Sequence, residues 1–202
     1  MSDHDGDEPS RADDGDRRVD EYLGRIGLGR RPDRSLDGLA AVVAHHTRTI
    51  AFENLTPLTG APVRLGSGDL HDKLVTQRRG GYCFEHNLLL HDMLVTLGFD
   101  VGLLAARVTW NRPAGAVTAR DHLLLRVELG GDAHVVDCGF GGLTLTGVLR
   151  LVPGEAQDTP HERFRFLQHD ATFELQAELP GPDGPDRSSW RSLYRFDLQP
   201  QH

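Results

Sequence analysis

The chain has 202 residues, of which 38% are hydrophobic and 26% charged, a composition typical of a globular protein with its own core. The formal net charge of −8 argues against the basic surface that nucleic acid requires, so no nucleic-acid partner is expected. No apolar run is long enough to span a membrane and no secretory signal pattern is present, so we expect a cytoplasmic protein without a membrane partner.

Acidic residues are concentrated at the N-terminus. Seven of them lie within residues 1–16, a stretch without apolar anchors. Such a segment cannot bury enough apolar surface to offset the entropy lost on ordering it. We therefore expect residues 1–16 to form a disordered acidic tail.

Residues 17–98 have the patterns of helices. Apolar residues at helical spacing predict a first helix over residues 17–29, which ends on a glycine. Ser35 is a suitable N-cap for a second helix that runs to about Thr49. A third, short helix is expected over residues 69–78. These elements predict a helical bundle.

The most informative helical segment begins at Cys83. From Cys83 to Leu97 the chain has no glycine or proline and many apolar residues, so a buried helix is expected. Gly98 is a suitable stop. The pair Gly80-Gly81 precedes this helix and places Cys83 at or near its first turn.

From residue 99 onwards, short apolar or alternating runs are separated by turn residues, which predicts strands. Stretches 109–120 and 179–189 are rich in glycine and proline and are predicted to be loops. The chain is therefore predicted to be α+β, with a helical bundle over 17–98 and an antiparallel sheet or barrel over 99–198. No pattern specifies an oligomeric state.

The chain has two cysteines, Cys83 and Cys138. Two thiols form neither a disulfide framework nor a four-thiol zinc site. The histidine pairs are also poorly spaced for metal ligation, so no metal is expected. Single cysteines with histidine and aspartate elsewhere in the chain favour a catalytic thiol instead.

Cys83 is the candidate nucleophile. A thiol attacks only as the thiolate, and a free cysteine with a pKa of about 8.5 holds little thiolate at neutral pH. The N-terminus of a helix and a neighbouring imidazole each favour the thiolate. The alternative is that Cys83 is a small buried apolar residue, which is common for free cysteine.

His122 and Asp137 are the candidate partners of the thiol. His122 opens an apolar run, where a strand entrance can direct it into a cleft. Asp137 ends the next apolar run, where a poorly solvated carboxylate needs a partner such as an imidazole N–H. The alternatives are a surface histidine at a loop edge and an aspartate that caps the following turn.

Four stretches together resemble the arylamine N-acetyltransferase family. They are IAFENL at 50–55, RRGGYCFEHN at 78–87, RDHLLLRV at 120–127 and VVDCGFGG at 135–142. They occur in the family's order and at similar spacing, and RGGYCFEHN is the most specific of them. The resemblance covers roughly residues 17–198.

The resemblance implies that Cys83, His122 and Asp137 are the catalytic triad, arranged as in cysteine proteases. It also implies a helical bundle followed by a β-barrel. In that family, which acts in xenobiotic metabolism, acetyl-CoA acylates the cysteine. An arylamine, arylhydrazine or arylhydroxylamine then takes the acetyl group in a ping-pong reaction. Glu53 and Arg79 resemble a charged pair of the family with a structural role.

Four further residues are implied to bind substrate. Phe140 resembles an aromatic residue that lines the family's acceptor pocket, and Phe196 is expected to face the same pocket. Gly141 and Gly142 are implied to border the cofactor. These roles come from the resemblance alone.

Family members are commonly longer, with a third, lid-like domain that this chain is expected to lack. Three alternative functions remain at this point. One is an amide synthase that releases or cyclises a polyketide-type acyl chain. The second is a catalytically weak binding module, and the third is a cysteine hydrolase, since proteases also use cysteine, histidine and aspartate.

Overall fold

The structure is a computed structural model that describes residues 11–113, 115–181 and 184–201. Helices come first: α1 (Arg11–Ile26), α2 (Leu36–Thr49), α3 (Leu55–Leu58), α4 (Ser67–His71), a π-helical turn (Asp72–Thr76) and α5 (Cys83–Thr96). Strands follow: β1 (Asp100–Val108), β2 (His122–Leu129), β3 (Asp132–Val136), β4 (Leu149–Arg150), β5 (Ala156–Asp158), β6 (Arg163–His169), β7 (Thr172–Gly181) and β8 (Gly184–Gln201). The predicted α+β class is confirmed.

Helix α1 begins earlier than the sequence predicted. Residues 11–16, expected within the disordered tail, form its first turns, while residues 1–10 lie outside the described residues. Asp13 and Asp14 lie in the first turn, where the helix dipole favours negative charge. Arg17 forms an ion pair with Asp14 at 2.6 Å. Local charge pairing therefore supports helix in a stretch that composition alone marked as disordered.

The ends of the first helices follow local backbone chemistry. Helix α1 ends at Ile26, three residues before the predicted stop, because Gly27 adopts a left-handed φ of 73°. Helix α2 has the predicted cap, since the Ser35 side chain accepts a hydrogen bond from Gly38 N. The helix predicted over 69–78 is instead the short α4 followed by the π-helical turn.

Helix α5 begins on Cys83, as predicted. Glu85 accepts a hydrogen bond from the Tyr82 backbone nitrogen at 3.1 Å and so fixes the turn that leads into the helix. The helix ends before Gly98, whose φ is 86°. The candidate nucleophile therefore lies in the first turn of a helix.

The strands of the described residues form one antiparallel sheet in the order β4-β3-β2-β1-β8-β7-β6-β5, which curls into a nearly closed barrel. The edge strands β4 and β5 are joined by a side chain. The Gln157 amide accepts from Arg150 N and donates to Arg150 O, each at 2.8 Å. This contact takes the place of backbone pairing at the seam.

The predicted loop over 179–189 is wrong in extent. Strands β7 and β8 continue through most of it, with Leu179 paired to Ser189 and Pro180 paired to Ser188. The register shifts next to Pro180, where a residue without an N–H breaks the regular ladder. Pairing with β8 therefore outweighs the turn preference of proline and glycine over most of this stretch.

The buried apolar side chains form two clusters. One joins the helices to the outer face of β2 and β3, through residues such as Leu90, Leu125 and Val136. The other fills the barrel, where Phe164, Phe166 and other residues of β6–β8 meet. Three places lie between the two clusters: the start of α5, the start of β2 and the turn that follows β3. None of the described helices is long and apolar enough to cross a membrane.

Candidate active site

Cys83 occupies the start of α5, with a partly exposed thiol. Its sulfur lies 3.8 Å from the carbonyl oxygen of Asp121, the residue that precedes His122. The first backbone N–H groups of a helix have no intrahelical partner and point towards such a residue. This position gives the thiolate, or an oxyanion formed beside it, a favourable local field.

His122 and Asp137 form a buried hydrogen-bonded pair. His122 opens β2, and Asp137 follows the last residue of the neighbouring β3. The ring nitrogen Nε2 of His122 lies 2.7 Å from Oδ2 of Asp137. Because Nε2 donates to the carboxylate, Nδ1 remains for a proton exchanged with the thiol of Cys83, which lines the same cavity as His122.

Asp137 is fully buried, and each of its oxygens has a partner. Besides His122, it accepts hydrogen bonds from the Asn87 side-chain nitrogen at 2.9 Å and from Gly139 N at 3.0 Å. Asn87 also donates to Leu123 O at 2.6 Å. These bonds hold the carboxylate in one orientation, as a residue that directs an imidazole requires.

The charges of the pair stabilise each other. Burial disfavours an imidazolium, but the Asp137 carboxylate and the Cys83 sulfur outweigh it and raise the pKa of His122 to about 10. Burial also opposes ionisation of Asp137, yet His122, Asn87 and Gly139 together lower its pKa. The geometry therefore favours an imidazolium between a carboxylate and a sulfur.

An aromatic and aliphatic cavity of about 500 Å³ opens onto the Cys83 thiol and the His122 ring. Its apolar walls come from the helical part and the barrel together, as Phe52, Val108, Trp110, Phe140, Leu143 and Leu179. Flat apolar walls of this kind favour an aromatic ligand. Arg112 adds a positive charge at the same cavity.

The turn after β3 packs directly on the start of α5. A Cβ atom at Gly139 would lie 2.7 Å from Cα of Cys83 and 2.9 Å from its carbonyl oxygen. Only a glycine permits this approach, which brings Asp137 and Cys83 to the same cleft.

The four predicted substrate-binding residues separate into two groups. Phe140 lines the cavity and lies edge-on to the His122 ring, with centroids 5.3 Å apart. Gly142 also lines it, while Gly141 lies beside it with its backbone against the Phe52 ring. Phe196 does not line the cavity, and that expectation is corrected: it is buried in the barrel and stacks on Phe173.

The reason for this correction is the direction of β8. Phe196 pairs with Ala106 across β1 and points into the barrel interior, so its ring fills the core. Its neighbour two residues earlier on the same face, Tyr194, lies nearer the site. The Tyr194 ring is 5.0 Å from the His122 ring and packs against Phe140.

Sequence reasoning gave no role to Asn87 or Tyr194. Asn87 lies four residues after Cys83, so the two side chains share a face of α5, and it is a buried amide within an otherwise apolar segment. That combination could have indicated its role. For Tyr194 no local signal exists, because its contact with His122 depends on how β8 pairs with β1.

Two further features lie next to this site, and the first was expected from the sequence. Arg79 and Glu53 form the expected charged pair, with 3.2 Å between Nη2 and Oε1. Cys138 is buried, and its backbone nitrogen donates to the Asn87 side chain at 3.0 Å, as suits a packing residue. Burial raises the pKa of the Cys138 thiol well above its usual range.

Comparisons with known proteins find similar sequences and similar structures. A family model described as N-acetyltransferase matches residues 35–202. An arylamine N-acetyltransferase of Mycolicibacterium smegmatis is 45% identical over 184 residues, which are 89% of this chain and 64% of that protein. The structure of Mycobacterium marinum arylamine N-acetyltransferase in complex with CoA has a TM-score of 0.84 at 42% identity, covering 91% of this chain and 66% of that one.

A structure of the M. smegmatis arylamine N-acetyltransferase has a TM-score of 0.85 at 44% identity, over 91% of this chain and 66% of that one. The chain therefore spans slightly less than two thirds of the length of these relatives. The residues matched by the family model, 35–202, include Cys83, His122 and Asp137, as well as the residues that line the Cys83 cavity.

Proposed function

Because this chain belongs to the arylamine N-acetyltransferase family, we propose that it transfers an acetyl group from acetyl-CoA to an arylamine, arylhydrazine or arylhydroxylamine. Cys83 carries the acetyl group as a thioester, His122 moves the proton and Asp137 orients His122. The observation that carries this proposal is the His122 imidazole, hydrogen-bonded to buried Asp137 and placed with the Cys83 thiol at one apolar cavity.

In the first step, the Cys83 thiolate attacks the carbonyl carbon of acetyl-CoA. The bond to the CoA sulfur breaks, and the leaving CoA thiolate takes the proton held by the His122 imidazolium. One thioester replaces another, so little bond energy changes. Backbone N–H groups at the start of α5 stabilise the oxyanion of the tetrahedral intermediate.

In the second step, the acceptor nitrogen attacks the acetyl-Cys83 carbonyl. An arylamine is neutral at pH 7, so its lone pair is available. The nitrogen loses a proton to His122 as the bond to sulfur breaks, which regenerates the thiolate and imidazolium. The apolar cavity walls of Phe52, Trp110 and Phe140 support an aromatic acceptor in this position.

The proposed roles divide along the chain. The helical part, 17–98, supplies the nucleophile, and the β part, 99–198, supplies His122 and Asp137. Gly141 and Gly142 border the cleft beside Phe52, where their small size leaves room for the pantetheine arm of the donor.

The test is intact-protein mass spectrometry after mixing with acetyl-CoA and no acceptor. The expected result is one acetyl group per chain, absent in Cys83→Ala and retained in Cys138→Ala, whose substituted thiol is buried. Addition of an arylamine then removes the adduct and releases the N-acetylated amine. A wild-type protein that stays unmodified under these conditions contradicts the proposal.

A further inference from the structure

A chain of three hydrogen bonds runs through the helical core to the edge of the cleft. The Tyr22 hydroxyl lies 2.8 Å from Nδ1 of His46, and Nε2 of His46 lies 2.9 Å from Nδ1 of His86. Nε2 of His86 lies 3.2 Å from the carbonyl oxygen of Ala51. Tyr22, His46 and His86 are at most 1% exposed.

The Ala51 carbonyl, the last member of this series, fixes which atom donates in each of the hydrogen bonds. A carbonyl oxygen only accepts, so Nε2 of His86 carries a hydrogen and Nδ1 of His86 accepts. Nε2 of His46 must then donate, which leaves Nδ1 of His46 to accept from the Tyr22 hydroxyl. The opposite direction would place two lone pairs against each other at the Ala51 carbonyl, which is costly for buried groups.

Both rings are neutral in this arrangement. Burial, reinforced by His86 and Arg25, lowers the pKa of His46 well below its usual range. Burial also lowers the pKa of His86, although the Ala51 carbonyl, Glu85, the Gly81 backbone and Asp137 oppose it. One proton therefore lies between the two rings, and each ring has a single tautomer that satisfies its neighbours.

The Ala51 carbonyl, at the far end of this series of hydrogen bonds, is the point where two segments of the cleft meet. The Ala51 carbonyl also accepts a hydrogen bond from Gly81 N at 3.2 Å, and Glu53 N donates to Gly81 O at 2.8 Å. Phe52 follows Ala51, and Cys83 follows Gly81 by two residues. The hydrogen bonds that the Ala51 carbonyl accepts from Gly81 N and His86 Nε2 therefore connect the segment that bears Phe52 to the segment that leads to Cys83.

His86 also contacts the cavity wall directly. Its ring lies nearly parallel to that of Phe52, with centroids 6.3 Å apart and 14° between planes. Phe52 is 46% exposed and lines the cavity on which Cys83 opens. His86 therefore lies against one face of this ring and, through the Ala51 carbonyl, helps to hold the backbone that precedes it.

We propose that His86 is a positioning residue for the acceptor: through the Ala51 carbonyl and its stack on Phe52, it sets the aromatic wall against which the acceptor ring packs. Tyr22 and His46 fix the tautomer of His86 that this requires. The inference rests on the proposed function, because it assigns Phe52 to the acceptor step. His122, which moves the proton, and Asp137, which orients it, are paired with each other and not with His86, so acetylation of Cys83 should depend on His86 much less.

Three variants separate the hydrogen bonds of His86 from the contribution of the remote Tyr22 hydroxyl. His86→Leu keeps the volume and removes both hydrogen bonds. His86→Gln keeps an amide that can donate to Ala51 and accept from His46. Tyr22→Phe removes only the remote hydroxyl and leaves all residues of the cleft in place. Circular dichroism and thermal unfolding identify the variants that fold.

The measurements are the rate of Cys83 acetylation by acetyl-CoA and the apparent KM for an arylamine. In His86→Leu we expect the KM to rise roughly fivefold, as for the loss of one hydrogen bond to a buried group, while the acetylation rate changes by less than about twofold. His86→Gln should return the KM to within about twofold of wild type. A KM unchanged in His86→Leu, or a His86→Gln as impaired as His86→Leu, overturns the proposal.

A second readout does not depend on activity. Nitrogen-15 spectra of the wild-type histidines should show both His46 and His86 as the Nε2–H tautomer, and Tyr22→Phe should perturb His46 and His86 together. A His86 ring protonated on Nδ1 contradicts the inference even if His86→Leu does not fold. Failure of wild-type Cys83 to acquire an acetyl group would instead contradict the proposed function, so the two failures are distinguishable.

Discussion

Asn87 lies one helical turn beyond Cys83, and its side-chain nitrogen donates a hydrogen bond to Asp137 at 2.9 Å. The same amide donates to Leu123 O and accepts from Cys138 N, so its hydrogen bonds join α5 to β2 and to the turn after β3. A single buried amide therefore connects the helix of the proposed nucleophile with the two strands of its proposed partners.

Replacement of Asn87 by alanine should loosen the Asp137 carboxylate and destabilise the protein. The Asp137 carboxylate, Leu123 O and Cys138 N each lose a buried partner, so we expect a loss of roughly 2–4 kcal/mol in the free energy of unfolding. Cys83 acetylation should slow as well, since His122 is less well oriented. Urea unfolding and acetyl-adduct kinetics measure the two effects.

The control for this substitution is Asn54→Ala. Asn54 is exposed and makes no side-chain cap at the start of α3. Its replacement should change the free energy of unfolding by less than about 0.5 kcal/mol. Equal losses in the two variants would refute the structural role given to Asn87.

The raised pKa of His122 makes stability depend on pH. Its pKa is about 10 in the folded protein, against about 6.5 for an unperturbed histidine in the unfolded chain. The stabilisation is therefore fully present below about pH 6.5 and is lost as pH rises through about 10. Asp137, with a lowered pKa, contributes in the opposite sense: its stabilisation is lost as pH falls through that pKa.

Asp137→Asn isolates this contribution. Without the carboxylate, the His122 imidazolium loses its partner, so its pKa should fall and the variant should lose less stability than wild type between about pH 6.5 and 10. Thermal unfolding across that range, with nitrogen-15 titration of His122, provides the measurement. Parallel pH profiles for wild type and Asp137→Asn would show that the pair does not stabilise the folded state in this way.

The sequence predicted the elements that carry the candidate site better than it predicted the edges of the fold. Cys83 at a helix start depends on the local signals of Gly80-Gly81 and a long apolar segment, and the structure has α5 begin there. The strands that bear His122 and precede Asp137 were likewise visible as apolar runs. That the two side chains meet, however, follows only from the pairing of β2 with β3.

The errors arose where strand pairing or ion pairs within a helix outweigh what composition alone indicates. Pro180 and its neighbouring glycines favour a turn, yet pairing with β8 keeps most of that stretch in a hairpin. Phe196 resembled a pocket residue in sequence, but the register of β8 against β1 turns its ring into the barrel. Residues 11–16 were predicted to be disordered from their charge, whereas ion pairs such as Arg17–Asp14 support a helix there.

Gly139→Ala should disrupt the approach of the Asp137 turn to α5. Its Cβ would lie 2.7 Å from Cα of Cys83, so one of the two segments must move. We expect a loss of roughly 1–3 kcal/mol in the free energy of unfolding, and slower alkylation of Cys83 by iodoacetamide because the His122 pair is displaced.

Gly142→Ala is the matched control in the same loop. A Cβ at Gly142 would meet no atom within 4 Å, and its φ is not in the left-handed region. Its stability should match wild type within about 0.5 kcal/mol. A Gly139→Ala protein that unfolds and reacts like Gly142→Ala would be inconsistent with the close packing of this turn on α5.

The last prediction concerns the buried ion pair of Lys73 and Glu85. Lys73 Nζ lies 2.6 Å from Oε1 of Glu85, whose side chain is 1% exposed and whose other oxygen accepts from Tyr82 N. Lys73→Met leaves this carboxylate buried without its cation, at a cost of roughly 3–5 kcal/mol. Arg163 is 51% exposed and pairs with Asp158 at 2.8 Å and with Glu178 at 2.9 Å, so Arg163→Met should cost less than about 1 kcal/mol.

Because Glu85 fixes the turn at Tyr82, the loss of Lys73 should also reach the nucleophile one residue further on. We therefore expect Lys73→Met to slow Cys83 acetylation more than Arg163→Met does, at a temperature where both variants are folded. Urea unfolding and the rate of acetyl-adduct formation test the two effects separately. Equal stability of Lys73→Met and Arg163→Met would mean that Glu85 is solvated or otherwise paired, and the cap of α5 would then not depend on Lys73.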